Sequence, residues 1–193
     1  MKAVVTIIAI VAFSASAFAG TISGKVSGVN GESVVYVDAI AGKTFPAPSA
    51  HPVMDQKGLL FQPHLLVVQA GTTVDFVNSD KVAHNAFWPM FQQGAKKSPG
   101  KNLGTWPTGE KRSFKFDQPG VAPMLCNVHP EMSGYIVVAP TPYFALTDKS
   151  GNYKIDNVPD GQYNVVGWHE GAKTQSKPVA VPGDAKVDLT LSK

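Results

Sequence analysis

Short runs of apolar residues, or of alternating apolar and polar residues, recur along most of the chain and are separated by turn-forming residues. In one of them, Phe114 and Phe116 alternate with polar neighbours, and 117–120 then supplies a turn. Such runs occupy 21–26, 34–37, 65–68, 73–77, 113–116, 135–138, 153–155, 163–166 and 187–191. No segment shows the apolar repeat of about 3.6 residues that marks an amphipathic helix. Short strands with regular turn signals predict an all-β sandwich architecture.

The stretch 89–112 is different, because glycine, proline and lysine are frequent in it. Its basic residues outnumber its single acid, Glu110; they are Lys96, Lys97, Lys101, Lys111 and Arg112. We predict a long, mobile surface loop here. Its charges form either a solvated surface or a docking patch that steers an acidic partner.

Length and composition agree with one large domain or two small ones among the 193 residues. The content of glycine (18) and proline (15) indicates many turns, and 16% charged residues is too low for an intrinsically disordered chain. The net charge is only +3, and Arg112 is the only arginine. Because nucleic-acid recognition depends on arginine forks and clustered basic faces, we expect no nucleic-acid partner.

The first residues carry the three parts of a secretory signal peptide. Lys2 supplies a positive charge, 3–13 is uncharged and apolar, and Ala17 and Ala19 form a small-x-small cleavage site. The apolar run is too short for a membrane anchor, which takes about 20 residues. We therefore predict a signal peptide over 1–19, a mature chain that starts near Gly20, a periplasmic or secreted location, and no membrane span.

Cys126 is the only cysteine, so it cannot form a disulfide within the chain, and an exported thiol tends to oxidise unless it is buried or ligated. It lies in a C-x₂-H-x₂-M motif with His129 and Met132. A tight loop of this spacing can bring a thiolate, an imidazole and a thioether to one point. His84 follows the predicted strand 73–77 and offers a second imidazole. Thiolate and thioether are soft ligands that favour copper over zinc.

With these residues the sequence resembles the cupredoxins, and its ligand loop is similar to those of amicyanin and pseudoazurin. The matching features are 61–63, 65–68, 71–72, 74–76, 78–80, 84–85, 119–120 and the C-x₂-H-x₂-M loop. The resemblance implies a Greek-key β-sandwich with one mononuclear type 1 (blue) copper. It implies imidazole ligands at His84 and His129, a thiolate ligand at Cys126 and an axial thioether at Met132. Asn85 matches the residue that helps to fix the ligand loops.

In cupredoxins the histidine of the ligand loop reaches the surface through an apolar patch that serves as the electron port. The resemblance therefore implies such a patch around His129, for which the sequence offers Pro89, Met90, Phe91, Met124 and Pro130. The other histidines join no metal motif, and we expect structural or solvent-facing roles for them: His51, His64 and His169.

A second small β-sandwich is indicated by 141–193, where a D-x-x-G turn and a P-x-G-x-Y motif lie between short strands. This pattern resembles the carboxypeptidase-regulatory-like (transthyretin-like) modules, and the composite resembles cupredoxin-like proteins associated with methylamine utilisation. Such modules open with strands like 21–26 and 34–37, which here precede the cupredoxin-like region. We therefore predict a cupredoxin domain, 44–140, inserted into a second sandwich made of 141–193 with 20–43. Alternatively, 20–43 adds edge strands to the cupredoxin domain.

These features favour a periplasmic one-electron carrier whose partner is a cytochrome or a copper or quinone enzyme. A copper-handling protein that stores or delivers the ion would use the same ligands, but methionine- and histidine-rich tracts usually accompany that role. A structural interaction module is a third hypothesis. We expect no enzyme activity, because the sequence has neither the H-x-H and H-C-H motifs of a trinuclear copper cluster nor a nucleophile–base pair.

Overall fold

The computed structural model describes residues 19–193, and every regular element within them is a β-strand. This confirms the predicted all-β fold. The predicted signal peptide lies outside the described residues, apart from Ala19. In the described part of the chain, no helix has the length and apolar character needed to cross a membrane.

Seventeen strands succeed one another in residues 19–193. The first eleven are β1 (Ala19–Ser27), β2 (Val34–Val37), β3 (Val53–Gln56), β4 (Phe61–Gln62), β5 (Leu65–Gln69), β6 (Thr72–Asn78), β7 (His84–Gln93), β8 (Lys96–Trp106), β9 (Lys111–Phe116), β10 (Gly120–Leu125) and β11 (Ser133–Ala139). The others are β12 (Phe144–Leu146), β13 (Asn152–Pro159), β14 (Gly161–Trp168), β15 (Gln175–Val181), β16 (Ala185–Lys186) and β17 (Leu189–Thr190).

The strands form four sheets. Sheet I has the order β4-β3-β6-β9, and sheet II the order β5-β11-β10-β7-β8. Sheet III has the order β12-β2-β14-β15, and sheet IV the order β13-β1-β16, with β17 also beside β1. The pairs β3–β6, β5–β11, β1–β16 and β1–β17 are parallel, and the other pairs are antiparallel.

Two buried clusters show that the sheets pack as two sandwiches. The first cluster lies between sheets I and II and includes Phe76, Met124 and Ile136. The second lies between sheets III and IV and includes Ile22 and Leu189. We call sheets I and II the first sandwich, and sheets III and IV the second sandwich.

A third buried cluster joins the two sandwiches, so that the sheets stack in the order I, II, III, IV. It holds Val34 of β2, Leu65 of β5 and Val137 of β11. Along β11, Ile136 belongs to the core of the first sandwich whereas Val137 belongs to this joint. Burial on both faces explains why 135–138 is an unbroken apolar run rather than an alternating one.

The opening strands pair with the last third of the chain. Among the described strands, β1 pairs with β13, β16 and β17, and β2 pairs with β12 and β14. Strands β3 to β11 pair only with one another. These are the pairings that the inserted-domain hypothesis expects, and the domain boundaries and the family of the second sandwich stay predictions.

The prediction of a loop over 89–112 is wrong, because most of these residues belong to strands. β7 runs to Gln93 and forms a hairpin with β8. β8 is the edge strand of sheet II, where proline and exposed lysines are tolerated. Gly100 does not mark a turn: a Cβ there would lie 1.7 Å from the carbonyl oxygen of Trp88, so the strands approach too closely for a side chain.

The inserted-domain hypothesis is tested with the fragment 44–140. We expect it to fold and to take up copper, because its strands pair only among themselves. Its free energy of unfolding should be lower than that of the same region in the whole chain, because Leu65 and Val137 lose their cover. Circular dichroism during urea unfolding shows whether the fragment is folded and measures its free energy of unfolding. A fragment that is unfolded without denaturant would contradict the hypothesis.

Candidate metal centre

The predicted ligands lie where two neighbouring strands of sheet II reach the same end of the first sandwich. His84 is the first residue of β7, and Cys126 directly follows β10. Because β7 and β10 are antiparallel, the start of one lies beside the end of the other. His129 lies in the connection between β10 and β11, and Met132 immediately precedes β11.

Three of the four predicted ligands converge. One donor atom each from His84, Cys126 and His129 lies within 4.8 Å of the others. Nδ1 of His84 and Nδ1 of His129 are 3.0 Å apart. This separation allows one metal ion to bind both nitrogens, which requires that neither Nδ1 carries a hydrogen.

Met132 lies in the same buried core cluster as Cys126, and its side chain is fully buried. Its backbone N–H donates to the carbonyl oxygen of His129 at 3.0 Å. This bond closes a tight turn between the two residues. The connection therefore returns into the sandwich directly after His129, and the thioether is placed on the inside.

Asp80 fixes the orientation of the His84 ring. Nε2 of His84 donates to Oδ2 of Asp80 at 2.9 Å. A hydrogen on Nε2 leaves Nδ1 of the neutral ring as a lone-pair donor, and Nδ1 is the atom that faces His129. A carboxylate behind a ligating histidine also raises the basicity of the ring.

Two successive backbone amides hold the Asp80 carboxylate in turn. Leu59 N–H donates to Oδ2 at 3.0 Å, and Gly58 N–H donates to Oδ1 at 2.7 Å. These amides of Leu59 and Gly58 keep the pKa of the Asp80 carboxyl below its usual value. Both residues have positive φ, 66° at Gly58 and 59° at Leu59, which turns successive N–H groups toward one anion. The hairpin between β3 and β4 thus supports His84 through Asp80.

Asn85 connects β7, β8 and the ligand loop. Its backbone N–H points at Sγ of Cys126 at 3.4 Å, and its Oδ1 accepts from the N–H of Asn127 at 3.3 Å. Its Nδ2 donates to Asn102 Oδ1 and to the Gly104 carbonyl, both at 2.8 Å. These contacts give Asn85 the geometry of a residue that fixes the ligand loop.

The predicted composition of the apolar patch is wrong for most of its members. Met124 is fully buried and Phe91 nearly so, because both side chains point into the core of the first sandwich. Pro89 and Met90 lie further along β7, toward its hairpin with β8. Pro130, next to His129, is exposed as expected. The large apolar side chains exposed on the loops beside the ligands are instead Leu59, Leu60, Val82 and Val128.

Sequence reasoning missed the supporting roles of Asp80 and Gln56. For Asp80, the available signal was its position four residues before His84. Gln56 is fully buried, and its Nε2 donates to the carbonyl oxygen of Asn85 at 2.9 Å. No local pattern indicates this bond, because β3 and β7 belong to different sheets.

Residues 49–139 match the family of copper-binding proteins named for plastocyanin and azurin. This match supports the cupredoxin assignment for that part of the chain. No protein with a curated description matches the sequence.

Several solved structures are similar over about half of the chain. A copper-containing nitrite reductase from Thermus scotoductus SA-01 is 25% identical over 52% of this chain, with a TM-score of 0.41, and the match spans only 25% of the reductase. A reduced amicyanin variant is 24% identical over 53% of this chain and 90% of its own, with a TM-score of 0.40. A purple cupredoxin from Nitrosopumilus maritimus is 24% identical over 46% of this chain and 99% of its own, with a TM-score of 0.39.

The donor set fits copper. Two imidazoles, a free buried cysteine and a buried methionine combine soft and borderline ligands, whereas structural zinc sites take four histidine or cysteine ligands. Together with the family match, this set assigns a single copper ion to the centre.

The support from Asp80 is tested by the variant Asp80→Ala, which removes the acceptor behind His84. We expect copper affinity to fall about 10- to 100-fold, as is typical when the partner of a ligating histidine is lost. Competition with a chelator measures the affinity. Asp117→Ala is the matched control, because it removes an exposed carboxylate of the same sandwich that pairs with Lys115. Equal affinities in the two variants would contradict the role of Asp80.

Proposed function

We propose that this chain is a periplasmic one-electron carrier with a type 1 copper centre. The observation that carries the proposal is the convergence of donor atoms from His84, Cys126 and His129 at one end of a β-sandwich. Copper, when bound, supplies one-electron chemistry by cycling between Cu(I) and Cu(II). The match to copper-binding proteins of the plastocyanin and azurin family supports the electron-transfer role.

The protein fixes the ligand side chains in position and limits the access of water to them. His84 and Cys126 are buried, so water has little access to their donor atoms. Asp80 fixes the His84 ring, and Asn85 fixes the loop that carries Cys126. Ligands held by bonds of this kind keep the same positions in both redox states, which keeps the reorganisation energy small.

His129 provides the route to the surface, because it is partly exposed while the other three proposed ligands are buried. Four exposed apolar side chains lie on loops connected to the ligands: Leu59 and Leu60 on the turn that holds Asp80, Val82 two residues before His84, and Val128 next to His129. We propose these four residues as the docking surface of the redox partner, a cytochrome or a copper or quinone enzyme. A small apolar surface suits brief encounters, because it excludes water without requiring a fixed network of polar contacts.

The periplasmic location rests on the predicted signal peptide, and the burial of Cys126 is compatible with it. A buried, ligated thiol is protected from oxidation outside the cytoplasm. The proposal of a carrier rather than an enzyme rests on the ligand set. Catalytic metal sites keep an open position for water or substrate, whereas four protein ligands here would leave none.

The function is tested with the mature chain from Gly20 by adding one equivalent of Cu(II) and recording visible and EPR spectra. We expect an intense thiolate-to-copper band, narrow copper hyperfine splitting and reversible one-electron voltammetry. Cys126→Ser should abolish the band, because the absorbing bond is lost. A pale square-planar spectrum in the unmodified protein would contradict the proposal. Rapid loss of Cu(I) to a chelator would favour the copper-handling alternative.

The axial role of Met132 is tested by Met132→Leu. We expect a coloured site with a higher reduction potential, because loss of a weak donor favours Cu(I). A tenfold fall in the oxidised-to-reduced ratio at a fixed potential corresponds to about 59 mV for one electron. Met124→Leu is the matched control, since Met124 is equally buried in the same core but lies outside the ligand loop. A potential that moves equally in both variants would exclude Met132 as the axial ligand.

A further inference from the structure

The ligand loop ends against the second sandwich. Met132 is followed directly by Ser133, the first residue of β11. The outer face of β11 is covered by β2 and β14 of the second sandwich, through the buried cluster of Val34, Leu65 and Val137. The strand that carries the loop out of the metal centre is therefore held from outside the first sandwich.

His64 attaches to the start of β11 at two points. Its carbonyl oxygen accepts from the N–H of Tyr135 at 2.7 Å, and its Nδ1 donates to the carbonyl oxygen of Ser133 at 3.2 Å. Gly134 lies between these points, and a Cβ there would be 3.0 Å from the His64 carbonyl oxygen. The His64 backbone and ring thus hold the first three residues of β11 in close contact.

Glu170 of the second sandwich holds the other side of the same ring. Its Oε2 lies 3.0 Å from Nε2 of His64. Ser133 offers a carbonyl oxygen and Glu170 a carboxylate, so the ring makes both bonds at once when both its nitrogens donate. A continuous path of hydrogen bonds therefore runs from the second sandwich to the residue after Met132.

An aromatic pair adds a second contact at the same place. The rings of Tyr135 and Trp168 are 5.3 Å apart between centroids and are tilted by 57°. The His64 ring packs edge-on against Tyr135 at 5.8 Å. Trp168 is the last residue of β14. Two side chains from one end of the second sandwich, Trp168 and Glu170, thus meet the beginning of β11.

We propose that the second sandwich positions the Met132 end of the ligand loop, with Glu170 and Trp168 as positioning residues that act through His64 and Tyr135. The spectroscopic part of this inference rests on the proposed copper function, and its structural part does not. It gives the second sandwich a definite task, which is to fix the axial side of the metal centre from the far side of sheet II.

The expected effect is local. His64 and Glu170 are each about half exposed, with 49% and 44% of their side chains accessible. Ion pairs this exposed contribute little to global stability. The position of the loop end, however, depends on where Ser133 is held, because one peptide bond separates it from Met132.

The experiment uses the full mature chain and the variants Glu170→Ala and Glu170→Gln. In the metal-free protein, we expect the amides of Met132 and Tyr135 to exchange with deuterium about three times faster in Glu170→Ala. In the copper-loaded protein, we expect an altered pattern of charge-transfer bands and an approximately threefold change in the oxidised-to-reduced ratio at a fixed mediator potential. In Glu170→Gln, the exchange rates and the copper-centre properties should stay as in the unmodified protein, because the side-chain amide can still bond to the ring.

Asp156→Ala is the matched control, because it removes an exposed ion pair of the second sandwich, with Lys154, on sheet IV away from the joint. Equal behaviour of Glu170→Ala and Asp156→Ala in both measurements would overturn the proposal. An effect of equal size in Glu170→Gln would show that the hydrogen bond to the His64 ring does not position the loop, and would also overturn the proposal.

Trp168→Phe and Trp168→Ala, compared where both are folded, provide an independent check. The alanine variant should speed exchange at Tyr135 more than the phenylalanine variant, and equal rates in the two would count against the aromatic contact. If the unmodified protein binds no copper, the proposed function fails, while the exchange measurements still decide whether Glu170 positions the loop.

Discussion

The metal centre and the second sandwich both depend on β11, which is buried on both of its faces. Ile136 contributes to the core that surrounds Cys126, and Val137 contributes to the joint between the sandwiches. Each fully buried aliphatic side chain contributes about 1.5–3 kcal/mol, so both faces specify the register of the strand. A slip of one residue would exchange the two faces and carry Met132 away from the centre. Met132, the proposed axial ligand, is therefore positioned by two hydrophobic cores at once.

Polar contacts orient His84 and the loop that carries Cys126, because packing alone does not distinguish the two ring nitrogens of a buried imidazole. His84 is fully buried, and packing alone would leave undecided which ring nitrogen faces the centre. The Asp80 carboxylate accepts from Nε2 and so turns Nδ1 toward the centre, and two backbone amides hold that carboxylate in place. Asn85 holds the ligand loop through both its backbone N–H and its side chain. The donor atoms of His84, Cys126 and His129 lie close together, and these contacts hold two of the three residues in place.

How far the sequence predicts the centre depends on how local the pattern is. Cys126, His129 and Met132 lie within one short loop, so their spacing alone brings them together. The patch around His129 is assembled from separate loops, and no short motif identifies its members. Met124 could have been excluded, because alternation places it on the same face of the strand as Cys126, which is buried. β8 could not have been identified, since lysine, proline and glycine are as common at a sheet edge as in a loop.

The backbone of Leu59 supports His84 through Asp80, and the side chain of Leu59 belongs to the exposed apolar surface. Its φ of 59° lies in the left-handed region, which costs an ordinary residue about 1–2 kcal/mol and which glycine or asparagine adopts more easily. Its side chain is exposed, so burial does not offset that cost. The backbone conformation is explained by Asp80, which needs two amides turned the same way. The choice of leucine is not explained by folding, because a smaller or polar residue would make the same bond. An exposed apolar side chain agrees instead with the proposed docking surface, and the turn that supports His84 through Asp80 also presents this side chain.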